Sequence, residues 1–214
     1  MTKHLPLTVL FFVFGCEDRT DQPNTAEITE PTEPDEPTDA IVPPVFMVDF
    51  ETTTGPVSLE IHTDWAPLGA ARFHELVTAE YYDDARYFRV VEDFIVQFGL
   101  AADPAATAEW DSPISDDPVL ESNLARTITF ATAGPNTRTT QLFINLEDNA
   151  TFDGQGFAPF GMVVQGMENI ASINSEYGDL PDQAQIVSEG NAYLDAAFPN
   201  LDSIITARIR DTAR

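Results

Sequence analysis

Alternating hydrophobic and polar positions dominate the chain from residue 45 onward and predict a series of short β-strands. The first two runs, 45–50 and 57–61, flank a turn at 52–56 that contains Gly and Pro, which indicates a β-hairpin. Six further apolar runs predict strands at 87–91, 94–98, 127–131, 141–145, 160–164 and 201–209.

Helical periodicity is confined to a few segments. Apolar residues recur at helical spacing from Pro67 to Ala79, with proline at the start of the pattern. A second helix is predicted at 167–177 and a short one within 183–197, whereas 100–122 is rich in Ala, Asp and Pro and predicts a long surface loop. Many short strands with few helices favour a mostly-β fold, a closed antiparallel eight-stranded barrel capped by two or three helices.

The N-terminus has a different pattern. Lys3 is followed by an apolar run, Leu5 to Phe14, that is too short to span a bilayer as an ordinary helix, and then by Gly15 and Cys16. This arrangement resembles a bacterial lipoprotein signal. It implies a signal peptide at 1–15, acylation of Cys16, and export to a lipid-anchored position in the cell envelope, in the periplasm or on the outer surface. An ordinary secretory signal and a buried N-terminal strand are the alternatives.

Residues 16–44 follow as an acidic, proline-rich segment. From 17 to 44 there are nine acidic residues, six prolines and a single arginine, Arg19. Proline blocks helices and sheet ladders and like charges repel, so we expect an extended tether before a domain at 45–214. A calcium site is the alternative for the tether, but the oxygen-ligand pattern of a calcium-binding loop is absent from its sequence.

Charge and composition exclude several functions. The chain has 36 acidic against 10 basic residues and a formal charge of −26, so it lacks the basic patch that nucleic-acid binding requires. The domain alone has 27 acidic residues and eight arginines, so the acidity extends beyond the tether. One cysteine and three histidines argue against a metal site, and we expect neither a metal nor a cofactor.

Four motifs stand in order within the predicted domain. Residues 87–97 read YFRVVEDFIVQ, with an arginine inside an apolar strand pair. Residues 130–144 read FATAGPNTRTTQLFI, and 152–154 and 160–163 read FDG and FGMV. Over about 45–210 the chain thereby resembles the cyclophilin-type peptidyl-prolyl cis-trans isomerases, with unusual segments at 100–122 and 178–200.

The resemblance implies a monomeric enzyme that rotates X-Pro peptide bonds of exported proteins and assists their folding. Its partners would be proline-containing polypeptides and, through Cys16, a membrane. Rotation about a peptide bond has a barrier of about 18–20 kcal/mol because amide resonance is lost on the way. The reaction needs no nucleophile, base or cofactor, only a site that stabilises the twisted amide.

The resemblance also assigns residue roles. Arg89 matches the catalytic arginine of the family. Gln97 matches the glutamine that binds the peptide and orients this arginine. The remaining residues that it assigns to substrate binding are Phe94, Ile95, Ala131, Thr132, Gln141, Phe143, Phe152 and Phe157. Two alternatives remain for these positions: the aromatic side chains belong to the core, or Arg89 pairs with a core carboxylate.

Two departures from the family pattern bear on activity. Thr151 stands where many cyclophilins have a tryptophan that contributes to cyclosporin binding, and Phe157 lies where they have a pocket histidine. We therefore expect weak cyclosporin sensitivity and a reduced turnover or changed preference. The competing classes are a peptide-binding or chaperone module with negligible turnover and a purely structural envelope lipoprotein.

Overall fold

The computed structural model of the chain describes residues 42–210. It contains eight strands, β1 Val45–Thr52, β2 Gly55–His62, β3 Arg89–Val91, β4 Ile95–Phe98, β5 Thr127–Phe130, β6 Leu142–Asn145, β7 Pro159–Gln165 and β8 Ile204–Ile209. Each coincides with one of the eight strands that the hydrophobic pattern predicts. Together they form one antiparallel sheet in the order β3-β4-β6-β5-β7-β2-β1-β8.

The sheet curls but does not close, so the predicted closed barrel is wrong in that respect. β3 and β8 are the two edge strands and do not pair with each other. Within residues 42–210, the segments that lead into these two strands are joined only by an isolated bridge between Arg86 and Ser203. The reason lies in β3, which has three residues. The N–H of Val90 donates to the carbonyl of Gly178 at 3.1 Å, so a connecting segment occupies the position that a closing strand would take.

Five α-helices and one 3₁₀ helix accompany the sheet within residues 42–210, more than the two or three helices predicted. They are α1 Pro67–Thr78, α2 Pro104–Glu109, the 3₁₀ helix Ala150–Gln155, α3 Met167–Ala171, α4 Gln183–Glu189 and α5 Asn191–Ala197.

The extra helices have local causes. In the segment predicted as a loop, the side chain of Asp103 accepts the N–H of Ala105 at 2.9 Å and Pro104 begins α2, a common way to start a helix. Gly190, with a φ of +59°, divides the predicted 183–197 helix into α4 and α5.

The helix predicted at 167–177 is shorter than expected and ends at Ala171. Beyond it, the N–H of Asn174 donates to the carboxylate of Asp202 at 2.8 Å, and the Asn174 amide donates to the carbonyl of Asn200 at 3.0 Å. These bonds hold the chain in an irregular path beside the segment that leads into β8.

The hydrophobic core lies inside the curled sheet and is rich in aromatic rings. Phe50, Phe98, Phe130 and Phe160 come from four strands, and Phe73 of α1 packs onto them with its ring 5.2 Å from that of Phe160. All five rings are at most 1% exposed. Burial of side chains of this size is the main stabilising contribution to such a fold.

The predicted N-terminal features lie outside the described residues. These are the signal peptide at 1–15, the lipidation of Cys16 and the tether as far as residue 41. Among residues 42–210, no helix combines the length and apolar composition needed to cross a bilayer.

Candidate active site

The strand register brings three predicted site residues into one row. Arg89 of β3 is paired with Gln97 of β4, which is paired in turn with Phe143 of β6. Because side chains alternate across a strand, Val96 and Phe98 point into the core while the row lies on the opposite face. The site is thus built on three hydrogen-bonded strands, which fix it more firmly than a loop would.

Two hydrogen bonds link the polar residues of this face. Arg89 Nη1 donates to Gln97 Oε1 at 3.2 Å, and Gln97 Nε2 donates to Gln141 Oε1 at 2.9 Å. Gln97 is only 6% exposed, so its amide is a fixed acceptor that orients the half-buried guanidinium.

Within residues 42–210, no carboxylate neutralises the charge of Arg89. Of the salt bridges formed by the part of the chain that the structure describes, none includes Arg89. The alternative interpretation, in which Arg89 pairs with a core carboxylate, is therefore wrong. A guanidinium has five N–H donors, and those not bound to Gln97 are left for a ligand.

Beside Arg89 lies a cavity of about 290 Å³ with a wall of four phenylalanines. The ring centroid of Phe152 is 5.5 Å from that of Phe94, 5.6 Å from that of Phe143 and 5.0 Å from that of Phe157. Phe94, Phe152 and Phe157 are half-buried, so these rings line an accessible surface rather than the core. The other lining residues are Arg89, Ile95, Gln97, Ala131, Thr132 and Gln155.

Two asparagine side chains hold the loops that carry this wall. Asn149 Nδ2 donates to the carbonyl of Phe94 at 3.1 Å, and Asn123 Nδ2 donates to the carbonyl of Phe157 at 2.8 Å. Asn123 is completely buried. Since a buried amide that loses its partner is costly, these bonds restrict the positions of the rings.

The 3₁₀ helix that carries Phe152 is fixed by its neighbour Asp153. The Asp153 carboxylate accepts Ser122 Oγ at 2.6 Å and the N–H of Asn123 at 2.9 Å. Burial raises the pKa of Asp153, but the hydrogen bonds from Ser122 and Asn123 outweigh it and leave that pKa below its ordinary value. An ionised Asp153 therefore ties the end of the 100–122 segment to the aromatic wall.

A second cavity of about 220 Å³ adjoins the first and shares Gln97, Ala131 and Thr132 with it. The Thr132 and Thr137 hydroxyl oxygens lie 2.9 Å apart, and Thr137 Oγ1 accepts the N–H of Ala133 at 2.9 Å. Hydroxyl groups thus hold the turn that forms one side of this cavity. The remaining lining residues are Ala133, Thr137, Thr139, Gln141 and Gln183.

The structure brings all ten predicted site residues together. Gln141 lines the second cavity and the other nine line the first. The sequence did not point to Gln155 or to Gln183. Gln155 follows Phe152 by one turn of the 3₁₀ helix, a spacing that places both on one side, whereas Gln183 comes from a distant segment and had no local signal.

Comparison with known proteins decides the family. The family model described as cyclophilin type peptidyl-prolyl cis-trans isomerase/CLD matches residues 47–190. The chain belongs to this family. It is 35% identical over 143 residues to a peptidyl-prolyl cis-trans isomerase of Arabidopsis thaliana, covering 64% of this chain and 85% of that protein. It is 30% identical over 142 residues to one of Acinetobacter baylyi, covering 62% and 76%.

Solved cyclophilin structures share the fold. One from Cryptosporidium parvum, determined in the presence of the dipeptide Ala-Pro, has a TM-score of 0.59 at 20% identity and covers 78% of this chain and 99% of that one. One from Hirschia baltica has a TM-score of 0.61 at 16% identity and covers 81% and 77%. The chain is accordingly a mostly-β cyclophilin with eight antiparallel strands and the family's peptidyl-prolyl cis-trans isomerase activity.

The family match spans every residue of both cavities. Thr151, which the sequence resemblance matches to the family tryptophan, is exposed and lines neither cavity, and its carbonyl accepts Gln155 Nε2 at 3.2 Å. Phe157, which the resemblance matches to the region of the pocket histidine, is part of the aromatic wall, with its ring 5.5 Å from that of Phe143.

Proposed function

We propose that this cyclophilin isomerises X-Pro bonds of exported proteins in the 290 Å³ cavity, and that it does so as a lipid-anchored monomer of the cell envelope. The observation that carries the assignment of the site is Arg89. Its guanidinium lies at the edge of an aromatic pocket, is oriented by a neutral amide and makes no ion pair with the described residues.

The reaction requires an apolar surface for the proline ring and a hydrogen-bond donor to the twisted amide, and the pocket supplies both. Four phenylalanine rings offer an apolar surface to a proline ring, and the cavity is large enough for one. As the amide twists, its nitrogen loses resonance and becomes a better acceptor, so a fixed guanidinium binds the twisted form more strongly than the planar one. The Cryptosporidium parvum cyclophilin structure determined in the presence of the dipeptide Ala-Pro supports a proline-containing ligand for this pocket.

The activity at this site is tested by exchange NMR on an Ala-Pro-containing peptide with the full chain. We expect cross-peaks between the cis and trans forms at substoichiometric enzyme, since uncatalysed exchange takes tens to hundreds of seconds. Phe152→Ala, which removes one wall of the pocket, should weaken peptide binding. Peptide binding without faster exchange would contradict the proposal and favour a binding module.

The envelope location is supported by the sequence of the N-terminus. Lys3, the apolar run from Leu5 to Phe14 and the lone Cys16 form the lipoprotein-like signal, and two or more acyl chains on Cys16 give stable membrane anchoring. Acyl labelling and globomycin-sensitive processing in a bacterial host should both be seen, and both should disappear in Cys16→Ser. Absence of labelling in the wild type would contradict the anchor and leave a freely secreted enzyme.

A further inference from the structure

The turn between β3 and β4 forms one side of a cavity that the site beside Arg89 does not use. This acidic cavity, named for Glu92, Asp93 and Glu147 at its rim, has a volume of about 610 Å³. Helix α3 and the residues that follow it form another side. Ligand sites typically have volumes of about 300–1,000 Å³, so the acidic cavity is large enough to bind a ligand.

The floor of the acidic cavity is one end of the hydrophobic core. Val90 of β3, Ile170 of α3 and Ile173 line it and are 5%, 1% and 4% exposed. Leu146 and Met167 also line it, and both are half-buried where they pack against the core. An apolar ligand group in the cavity would remove the exposed parts of these two side chains from water, which favours binding.

The rim of the acidic cavity has negative charge that its surroundings do not neutralise. Glu92, Asp93 and Glu147 are exposed, and no basic residue is among the described residues that line the cavity. None of the three carboxylates forms an ion pair within residues 42–210. Glu92 accepts the Ser175 hydroxyl at 2.5 Å, whereas Asp93 and Glu147 accept no side-chain hydrogen bond from that part of the chain.

The side-chain donors of the cavity, in contrast, are already bound within the protein. The Ser172 hydroxyl donates to a backbone carbonyl at 2.9 Å, and the Ser175 hydroxyl donates to Glu92. The Asn174 amide donates to a carboxylate at 2.9 Å and to a backbone carbonyl at 3.0 Å. The side-chain groups left for a ligand are therefore carboxylates, which only accept hydrogen bonds when they are ionised. The cavity is complementary to a cation that has an apolar portion.

We propose that the acidic cavity is a second polypeptide-binding site, which takes a segment where a lysine or arginine neighbours large aliphatic side chains. The aliphatic side chains contact the floor, and the cation pairs with Asp93 and Glu147. The segment needs no proline, so its binding does not depend on catalysis at Arg89.

A polypeptide is the occupant because the enzyme acts on polypeptides and the acidic cavity adjoins its proline cavity. Asp93 lines the acidic cavity, and the next residue, Phe94, lines the proline cavity. The N–H of Leu146 donates to the carbonyl of Phe94 at 2.9 Å, so the floor of one cavity is bonded to the aromatic wall of the other. One client chain can therefore contact both cavities, which raises the effective concentration of its second segment.

The test measures binding of the labelled peptide Leu-Lys-Leu-Arg-Leu to the full chain by fluorescence anisotropy at low salt. The peptide Ser-Lys-Ser-Arg-Ser has the same charge but no aliphatic side chains, and we expect it to bind about tenfold more weakly. This comparison separates the cavity from the general attraction of a cationic peptide to a chain with a formal charge of −26. Equal affinities of the two peptides would overturn the inference.

Removal of the rim charges tests the cationic part of the inference. In the double variant Asp93→Asn/Glu147→Gln, the affinity for the Leu peptide should fall by about twofold to thirtyfold, the range of two exposed ion pairs. Asparagine tolerates the φ of +55° at position 93. Asp64→Asn/Glu189→Gln is the matched control, since it removes the same two charges at exposed positions outside the cavity. An equal loss in both double variants, or none in the first, would overturn the inference.

Two single variants locate the bound peptide. Ala171→Trp adds a large side chain at an exposed position of the cavity lining and should weaken binding with the charge unchanged. Phe152→Ala alters the wall of the proline cavity and should leave the affinity unchanged. Unchanged affinity in Ala171→Trp, or a loss confined to Phe152→Ala, would mean that the peptide binds elsewhere and would overturn the inference.

Discussion

Gln97→Leu tests whether the orientation of the Arg89 guanidinium contributes to the rate, because the variant keeps Arg89 but removes the residue that orients it. The change keeps the approximate volume of a side chain that is only 6% exposed, but removes the acceptor for Arg89 and the donor for Gln141. A hydrogen bond to a charged group contributes about 1.5–3 kcal/mol, and each 1.36 kcal/mol is tenfold in rate. We therefore expect kcat/KM to fall by about tenfold to a hundredfold.

The assay is cis/trans exchange of an Ala-Pro peptide, with the free energy of unfolding measured on the same samples. Gln141→Leu is the control, because it breaks only the outer bond and leaves Gln97 bound to Arg89. Its neutral hydrogen bond is worth about 0.5–1.5 kcal/mol, so the loss should stay below about tenfold. A Gln97→Leu enzyme within twofold of the wild type would refute the idea that this amide orients the guanidinium.

Three further predictions concern stability, inhibition and pH. Asp117→Ala should lower the free energy of unfolding by about 3–5 kcal/mol in urea titrations, because it removes the buried carboxylate 3.1 Å from the buried Arg138 guanidinium and leaves only the more exposed Asp116, 3.4 Å away. Cyclosporin should bind weakly in calorimetry, and Thr151→Trp should strengthen binding. The hydrogen bond from Arg210 holds the pKa of Asp49 below its ordinary value. The free energy of unfolding of the wild type should therefore exceed that of Asp49→Asn above about pH 4, and this difference should be lost as the pH falls through the lowered pKa.

Each of these has an outcome that would contradict it. An Asp117→Ala protein as stable as the wild type would mean that the ion pair contributes nothing. Tight cyclosporin binding by the wild type would show that the tryptophan position does not control affinity in this chain. A stability difference at Asp49 that grows toward low pH would have the wrong sign for a lowered pKa.

The parts that were predictable from sequence are those in which a local pattern fixes the geometry. In β4, Ile95 and Gln97 alternate with the core residues Val96 and Phe98, so a two-residue period separates the site face from the core. The two longer motifs provide adjacent strands, and the register between β4 and β6 then places Gln97 opposite Phe143. The composition of 100–122 predicts a loop, but Asp103 and Pro104 within it are helix-start signals, and α2 begins there.

The parts that were not predictable depend on contacts between distant segments. The sheet stays open at β3, where the edge N–H of Val90 donates to the carbonyl of Gly178, 88 positions further along the chain, instead of to another strand. Gln183 reaches the second cavity because Ile186 and Leu194 are buried against the ends of other strands. Neither contact follows from hydrophobic periodicity, which reports which face is buried but not the partner that buries it.

The most direct measurement is the exchange rate of an Ala-Pro peptide with Arg89→Ala, with peptide affinity determined in parallel. Removing one group that stabilises a transition state electrostatically costs about 10²–10³ in rate, and we expect a loss of that size with the affinity changed much less. Arg89→Lys, which keeps the charge but not the planar fork of donors, should recover only part of the rate. Undiminished exchange in Arg89→Ala would contradict the role assigned to this guanidinium.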